Sequence, residues 1–221
     1  MGHCREEFIL SIQLMKKVIF IGLGLFVVYW TGYRAYRIST TTTHSPRETV
    51  NYTYKGLDIS VSYGRPYKKG RQIFGEAKDR WFLPKGQFWT DGFRLITGLP
   101  RTTGALVPKG QYWRLGANDA TEISFSKRIS FAGRQVDAGR YRMYVVPSED
   151  IWHVKLNSEL GKFGYHEPNY SLDVVTVDVP VETISSETEQ FTISFDNDSS
   201  GVKMNFKWDR TLVRVPIESL N

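Results

Sequence analysis

Alternation of apolar and polar side chains is the feature that most constrains the fold of this chain. In residues 191–195 (Phe-Thr-Ile-Ser-Phe) and 202–208 (Val-Lys-Met-Asn-Phe-Lys-Trp), every second side chain is apolar, so each segment predicts a strand with one buried face. Residues 196–201 predict the hairpin loop between them. Weaker strand patterns occur at residues 50–54, 57–63, 121–126, 140–146, 151–156, 172–179 and 212–215. About nine strands, with at most a helical turn at residues 181–189, predict an all-β fold, an antiparallel β-sandwich.

The composition agrees with this fold class. Aromatic residues make up 14% of the 221 residues, and aromatic and β-branched side chains suit pleated, half-buried surfaces. About 175 residues remain after the N-terminal segment, which is enough for a single hydrophobic core. Cys4 is the single cysteine and precedes the predicted domain, so packing and not a disulfide must stabilise that domain.

The N-terminal part carries an uncharged apolar segment at residues 18–33, with Lys16 and Lys17 before it and Arg34 after it. Such a segment predicts either a transmembrane helix or a cleaved signal peptide. Bulky aromatic residues, and no small-residue cleavage site, end the segment, which favours an uncleaved anchor. The flanking basic residues favour a cytoplasmic N-terminus, which places the domain outside the cytoplasm; cleavage would make the domain secreted.

These patterns divide the chain into five parts. We expect an N-terminal extension at residues 1–17, with Met15 as an alternative start, and a transmembrane or signal-anchor segment at residues 18–33. A polar linker is expected next, then the β-sandwich domain, then a short tail: residues 34–48, 49–217 and 218–221.

A short internal repeat interrupts the predicted domain. Residues 83–89 (Leu-Pro-Lys-Gly-Gln-Phe-Trp) and residues 107–113 (Val-Pro-Lys-Gly-Gln-Tyr-Trp) match at an offset of 24. Two copies without a third indicate a local duplication and not a solenoid. Residues 77–104 are therefore predicted to be an exposed insertion.

The formal net charge of +6 is not spread over the domain. Residues 1–44 carry five basic and two acidic side chains, and residues 77–104 carry the same numbers, so the rest of the chain is neutral. A neutral domain lacks the basic surface that phosphate contacts with nucleic acid require. We therefore expect no nucleic-acid partner, and we expect a membrane to be the partner of the N-terminal segment.

Several short motifs are spread along the domain: Tyr63-Gly64-Arg65-Pro66, Lys69-Gly70-Arg71, Ile73-Phe74-Gly75, Trp113-Arg114-Leu115-Gly116-Ala117-Asn118, Ala138-Gly139-Arg140-Tyr141 and Val146-Pro147. Together they resemble the domain-of-unknown-function family 2911 over about residues 45–217. The resemblance implies a bacterial exported or envelope protein with a periplasmic domain, and it implies no activity. The chain departs from the family pattern between residues 76 and 105, where the predicted insertion lies beside the longest motif.

The longest motif contains the candidate ligand-binding residues. Arg114, Asn118 and Asp119 predict a polar cluster in which the guanidinium group binds a carboxylate or phosphate and the amide orients it. Trp113 precedes this cluster in the motif. The alternative interpretation is structural: residues 116–119 form a turn, Arg114 pairs with Asp119 or Glu122, and Trp113 fills the core.

Two further arginines, Arg65 and Arg71, belong to turn-like motifs. They join the candidate ligand-binding residues only if the fold brings them close to Arg114. Otherwise they are turn residues.

The sequence offers little for catalysis or metal binding. Residues 196–201 begin like a calcium loop, but Lys207 takes the place of the bidentate Glu, which favours a hairpin turn. His153 and His166 form no metal set, and His153 is predicted on a strand surface opposite Trp152. We expect no cofactor and no metal, and the sequence has no Gly-x-Ser-x-Gly motif.

The favoured function is therefore a membrane-anchored module that binds a ligand or an envelope protein. The alternatives are an envelope hydrolase that acts on glycan or peptide through carboxylates such as Asp119 and Glu122, and a structural envelope protein.

Overall fold

The computed structural model describes residues 2–76, 104–199 and 201–220, with side chains described for residues 15–36 and from Ser45 onward. The insertion predicted at residues 77–104 lies, apart from Gly104, outside the described residues. The chain divides into two compact units, Met1–His44 and Ser45–Asn221.

The first unit is one helix, α1, which spans Gly2–His44. Its part Met15–Tyr36 is long and apolar enough to cross a membrane, since 22 residues rise about 33 Å in a helix and the hydrocarbon core is about 30 Å thick. The membrane segment predicted at residues 18–33 lies within it. The helix also continues through residues 34–44, which the sequence assigns to the linker. It ends just before Ser45 and Pro46, because a proline disfavours the helical conformation of the residue that precedes it.

The second unit is an antiparallel sheet of nine strands, which confirms the all-β prediction. The strand order is β1-β2-β5-β8-β9-β10-β11-β6-β7. The strands are β1 (Arg47–Tyr54), β2 (Leu57–Gly64), β5 (Thr121–Phe125), β6 (Ile129–Phe131), β7 (Arg134–Val136), β8 (Gly139–Pro147), β9 (Ile151–Asn157), β10 (Asp173–Asp198) and β11 (Gly201–Ser219). Two short strands, β3 (Phe74–Gly75) and β4 (Val107–Pro108), pair in parallel beside the sheet.

The long strand β10 folds the sheet into two layers. Its residues 173–180 pair with β9, and its residues from 181 to 198 pair with β11 except at bulges between Thr183 and Thr192. Aromatic rings connect the two layers across the core: Tyr52 of β1 stacks on Phe195 of β10 at 5.2 Å, and Phe125 of β5 meets Phe131 of β6 at 6.2 Å. The arrangement is a sandwich in which one strand serves both layers.

Residues 181–189 are strand and not the helical turn that the sequence allowed. The pairing of β10 with β11 shifts between Thr183 and Thr188 and again between Thr188 and Thr192. Such bulges insert unpaired residues and break the apolar alternation, which is why the pattern failed there. Because the bulges break the alternation, the sequence predicts two separate strands within each long strand. Predicted strands 172–179 and 191–195 both belong to β10, and predicted strands 202–208 and 212–215 both belong to β11.

The core is centred on Trp113, which is 7% exposed. Its ring lies 5.0 Å from that of Phe191, 5.7 Å from that of Trp152 and 5.8 Å from those of Phe74 and Trp208. Phe74 and Trp113 come from the Ile-Phe-Gly and Trp-Arg motifs. These two motifs therefore supply the centre of the hydrophobic core.

Candidate functional site

The outer face of β8 carries side chains that are polar and yet buried. Tyr141, Met143 and Val145 alternate toward the core, and Arg142 and Tyr144 point to the opposite face. Arg142 is 1% exposed and Tyr144 is 0% exposed. They are covered by residues 158–172, the connection between β9 and β10, which we call the covering loop.

Arg142 is only partly satisfied in this buried position. Its Nη2 donates to the Tyr112 hydroxyl oxygen at 2.5 Å and to the carbonyl oxygen of His166. Its Nη1 lies 3.7 Å from Oε2 of Glu159, which is an ion pair without a hydrogen bond. In the described part of the chain, Nε and Nη1 have no hydrogen-bond acceptor. Burying such donors without acceptors costs free energy.

Arg114 is half-buried and lies under the same part of the covering loop as Arg142, since Arg114 packs against Gly164 and Arg142 bonds to His166. Its Nη1 donates to the carbonyl oxygen of Asn118 at 3.2 Å. Among the described residues, no carboxylate lies within ion-pair distance of Arg114. Burial lowers the pKa of Arg114, the neighbouring Arg142 charge also lowers it, and Tyr112 and Tyr165 oppose this shift.

Tyr112 bonds to Arg142 and lies within the electrostatic influence of Arg114. Its ring lies 5.6 Å from the guanidinium carbon of Arg142, and its hydroxyl donates to the carbonyl oxygen of Gly164 at 3.0 Å. Its environment includes the charges of both Arg114 and Arg142. We call Tyr112, Arg114 and Arg142 the arginine cluster. It places two cations beneath residues 164–166 of the covering loop.

A second polar group holds the base of the covering loop. The Tyr144 hydroxyl is 2.7 and 2.8 Å from the two Asp173 carboxylate oxygens, and Lys155 lies 3.3 Å from the same carboxylate. The buried Asn157 donates to Asp173 and to the carbonyl oxygen of Asn169, both at 2.8 Å. Burial is the main cause that raises the pKa of Tyr144, and Asp173 raises it further. Since every charge here has a partner, this group is structural.

The turn at residues 115–119 lies directly on β2. Leu115 and Asn118 have positive φ angles of 53° and 63°, a conformation that costs non-glycine residues free energy. A Cβ atom on Gly64 would lie 2.1 Å from the carbonyl oxygen of Ala117. The motif therefore has Gly64 because the backbone of the turn occupies the space of a side chain.

The turn predicted by the structural interpretation is thus present, and its ion pairs differ from those predicted. Asp119 pairs with Arg47 at 3.3 Å, and Glu122 pairs with Arg140 at 2.5 Å. Arg114 is left without either carboxylate. The two carboxylates named for a hydrolase are therefore each engaged by an arginine.

The structure brings two of the predicted ligand-binding residues into direct contact, Arg114 and Asn118. Asn118 also donates to the carbonyl oxygen of Ser45 at 3.3 Å, and its own carbonyl oxygen accepts from the Gly164 amide at 3.0 Å. Trp113 lies in the core, and the Asp119 side chain is 58% exposed. Ligand contact by these residues stays a prediction.

Arg65 and Arg71 contact residues outside the arginine cluster. Arg65 pairs with Glu48 at 2.7 Å and donates to the carbonyl oxygen of Phe191 at 3.2 Å. Arg71 donates to the carbonyl oxygens of Tyr67 and Lys68. Both arginines are satisfied by local partners, as their turn-like motifs allow.

Two smaller predictions concern histidine and metal. His153 lies on the exposed face of β9 with its Nδ1 2.6 Å from Asp178 of β10, which confirms its predicted surface position. The hairpin predicted at residues 196–201 is present, but its loop is shorter than predicted, because residues 196–198 belong to β10 and Asp198 pairs with Gly201. Within the described ranges, no three His, Cys, Asp or Glu side chains group as metal ligands.

Sequence comparison provides the family. The model of a family described as "Protein of unknown function (DUF2911)" matches residues 45–100 and 99–217. The two matched stretches meet at residues 99–100, within the insertion predicted at residues 77–104. A search of curated proteins and a search of solved structures each found no match. Because the matches cover most of the chain and all of the motifs above, the chain belongs to the DUF2911 family.

Proposed function

We propose that this protein is a binding module, held at a membrane by α1, that binds an anionic ligand through Arg114. The observation that carries the proposal is the state of Arg114, a half-buried guanidinium group with no carboxylate within ion-pair distance among the described residues. Arg65, which is also half-buried, has Glu48 at 2.7 Å. A cation is seldom desolvated without a partner, because burial penalises its charge. An incoming anion supplies the missing partner.

The neighbourhood of Arg114 suits a ligand with a flat or apolar part. Tyr165 and Phe163 of the covering loop are 49% and 50% exposed, and Tyr165 contributes to the electrostatic environment of Arg114. Exposed aromatic side chains beside a charged group are common in ligand sites, because they add contact area to an oriented polar contact. The ligand therefore has an anionic group and an adjoining surface that packs on these rings.

The location supports a module that works outside the cytoplasm. Met15–Tyr36 is suited to a membrane span, and Lys16 and Lys17 precede its apolar part. Basic residues before a first membrane helix favour a cytoplasmic N-terminus. The domain then faces the periplasmic side of a bacterial envelope, where ligands with carboxylate or phosphate groups are available to it.

The test compares charged compounds with neutral counterparts. The full chain in lipid nanodiscs is unfolded by heat in a panel of carboxylates and phosphates, each matched with its neutral amide or ester, at constant ionic strength. We expect a saturable rise in Tm with anions of the right shape and no rise with their neutral counterparts.

Two variants test whether the rise in Tm depends on Arg114. Arg114→Gln is expected to lose the rise in Tm. Arg128→Gln removes an equal charge from an exposed arginine paired with Asp137 and is expected to keep it. The proposal is wrong if no anion raises Tm, or if Arg114→Gln responds as the unchanged protein does.

A further inference from the structure

We infer that the bound group is a compact oxyanion, a carboxylate or a phosphate, and that it lies between Arg114 and Arg142 beneath the covering loop. This inference rests on the proposed function and adds to it the second cation and the chemical class of the ligand group. It is carried by Arg142, which is 1% exposed and whose Nε and Nη1 have no acceptor in the described part of the chain.

The contacts of Arg142 divide its donors into two sets. Nη2 is fully used, because it donates to the Tyr112 hydroxyl and to the carbonyl oxygen of His166. These two bonds fix the plane of the guanidinium group, and the Tyr112 ring packs against it. Nε and Nη1 are held in that fixed plane without acceptors. An immobilised guanidinium group with free donors is well suited to oxyanions, since little side-chain entropy is lost on binding.

The charge near Arg142 is incompletely balanced. Glu159 is the carboxylate in ion-pair contact with it, at 3.7 Å, and Oε2 of Glu159 also accepts from the Asn169 amide at 3.1 Å. Its Oε1 lies 3.6 Å from Lys162. Glu122, which faces Arg142 across the β5–β8 pairing, accepts from Arg140 and from the Gly161 amide. In the described part of the chain, Glu159, which is shared with Lys162, is thus the one carboxylate within ion-pair distance of Arg142 or Arg114.

The difference in burial determines which of the two arginines an anion contacts first. Arg114 is half-buried and Arg142 is fully buried, so an anion meets Arg114 first. It reaches Arg142 when the covering loop moves, because the Gly164 amide and the His166 carbonyl oxygen close over the cluster through their bonds to Asn118 and Arg142. The loop is a long connection with one short 3₁₀ helix at Tyr170–Leu172, which is typical of segments that move on binding.

The anion competes with Glu159 for Arg142. A carboxylate already present near Nη1 repels an incoming anion, and its removal therefore strengthens binding. Glu159→Gln keeps an oxygen acceptor for the Asn169 amide and removes the charge. A merely structural Glu159 would, in contrast, leave anion affinity unchanged when its charge is lost.

The experiment measures Kd for inorganic phosphate and for acetate with the full chain in nanodiscs, by Tm against concentration at constant ionic strength. Glu159→Gln is expected to lower the Kd of the anion that binds by at least about threefold. Arg142→Lys is expected to raise it by at least about tenfold, because an ammonium group cannot keep both anchoring bonds and still present a planar donor pair. Glu149→Gln is the matched control, because Glu149 is 78% exposed and pairs with Lys109. The Kd of this variant for the anion should equal that of the unchanged protein.

The outcomes separate this inference from the proposed function. If anion binding depends on Arg114 but Glu159→Gln and Arg142→Lys bind as the unchanged protein does, the inference is overturned and the proposed function stands. If neither phosphate nor acetate raises Tm, the inference that the ligand group is a compact oxyanion is overturned. The wider panel of anions then decides whether the proposed function stands. If Arg142→Lys does not fold by circular dichroism, Glu159→Gln decides alone: an unchanged Kd overturns the inference.

Discussion

Replacing Gly64 by alanine tests the close approach between β2 and the turn at residues 115–119. The added Cβ would lie 2.1 Å from the carbonyl oxygen of Ala117 and 2.9 Å from its carbonyl carbon. Both are backbone atoms, so no side chain can rotate away. The turn must move by about 1.3 Å before the contact reaches an ordinary van der Waals distance.

The expected loss of stability is large for a single methyl group. Overpacking of a well-packed site costs about 1–3 kcal/mol, and a clash with fixed backbone belongs at the upper end. We expect Gly64→Ala to lower the free energy of unfolding by about 3 kcal/mol. With a urea m-value of about 2 kcal/mol/M, this corresponds to a fall of about 1.5 M in the unfolding midpoint.

The assay is urea unfolding of the full chain in detergent, followed by the fluorescence of its buried tryptophans. Gly70→Ala is the matched control: Gly70 has a φ of 67° with no atom within 4 Å of an added Cβ, so its cost is backbone strain of about 1 kcal/mol. If the midpoint of Gly64→Ala falls no further than that of Gly70→Ala, the turn does not lie on Gly64 as described.

Burial and pairing lead to four further predictions. Burial raises the pKa of Tyr63 to about 12 from about 10, so the folded state keeps the hydroxyl proton to a higher pH than the unfolded state does. The free energy of unfolding should therefore fall as the pH rises between these two values, and it should fall less in Tyr63→Phe. Urea midpoints measured at each pH would show this. Trp113→Ala should cost about 3–5 kcal/mol in urea unfolding, and Phe163→Ala, at 50% exposure, less than about 0.5 kcal/mol. Arg65→Gln should cost about 1–3 kcal/mol in the same assay because Arg65 has an ion pair and a carbonyl acceptor. Arg114→Gln should cost less than about 0.5 kcal/mol or stabilise the protein, and a larger loss would indicate a structural role.

The fold class was predictable because the apolar alternation is regular over most of the strands. The predicted total of nine strands agrees with the nine-stranded sheet, although the members differ. Four predicted segments belong to the two long strands β10 and β11, and the short strands β6 and β7 were missed. Strands of three residues are too short to show a period, and bulges between Thr183 and Thr192 erase the period of a longer strand.

Only one of the two arginines of the candidate site was predictable from the sequence. Arg114 stood out because an arginine follows Trp113 in the longest motif, but Arg142 did not. In the run Arg140-Tyr141-Arg142-Met143-Tyr144, the alternation places Arg142 on the face that normally meets solvent. Its burial depends on the covering loop, whose path no local pattern specifies. The available signal was the length of the connection between β9 and β10, which exceeds that of an ordinary hairpin.

The shared strand β10 also determines how the domain opens. Its 26 residues run without interruption from the β9 edge of one layer to the tip of the hairpin in the other. Melting either layer therefore exposes backbone amides of the same strand, and neither layer is an independent unit of opening. Hydrogen exchange at the paired amides of residues 173–183 and 192–198 should proceed through one global event with a common free energy, even though the bulged residues between them and the covering loop exchange by local fluctuation.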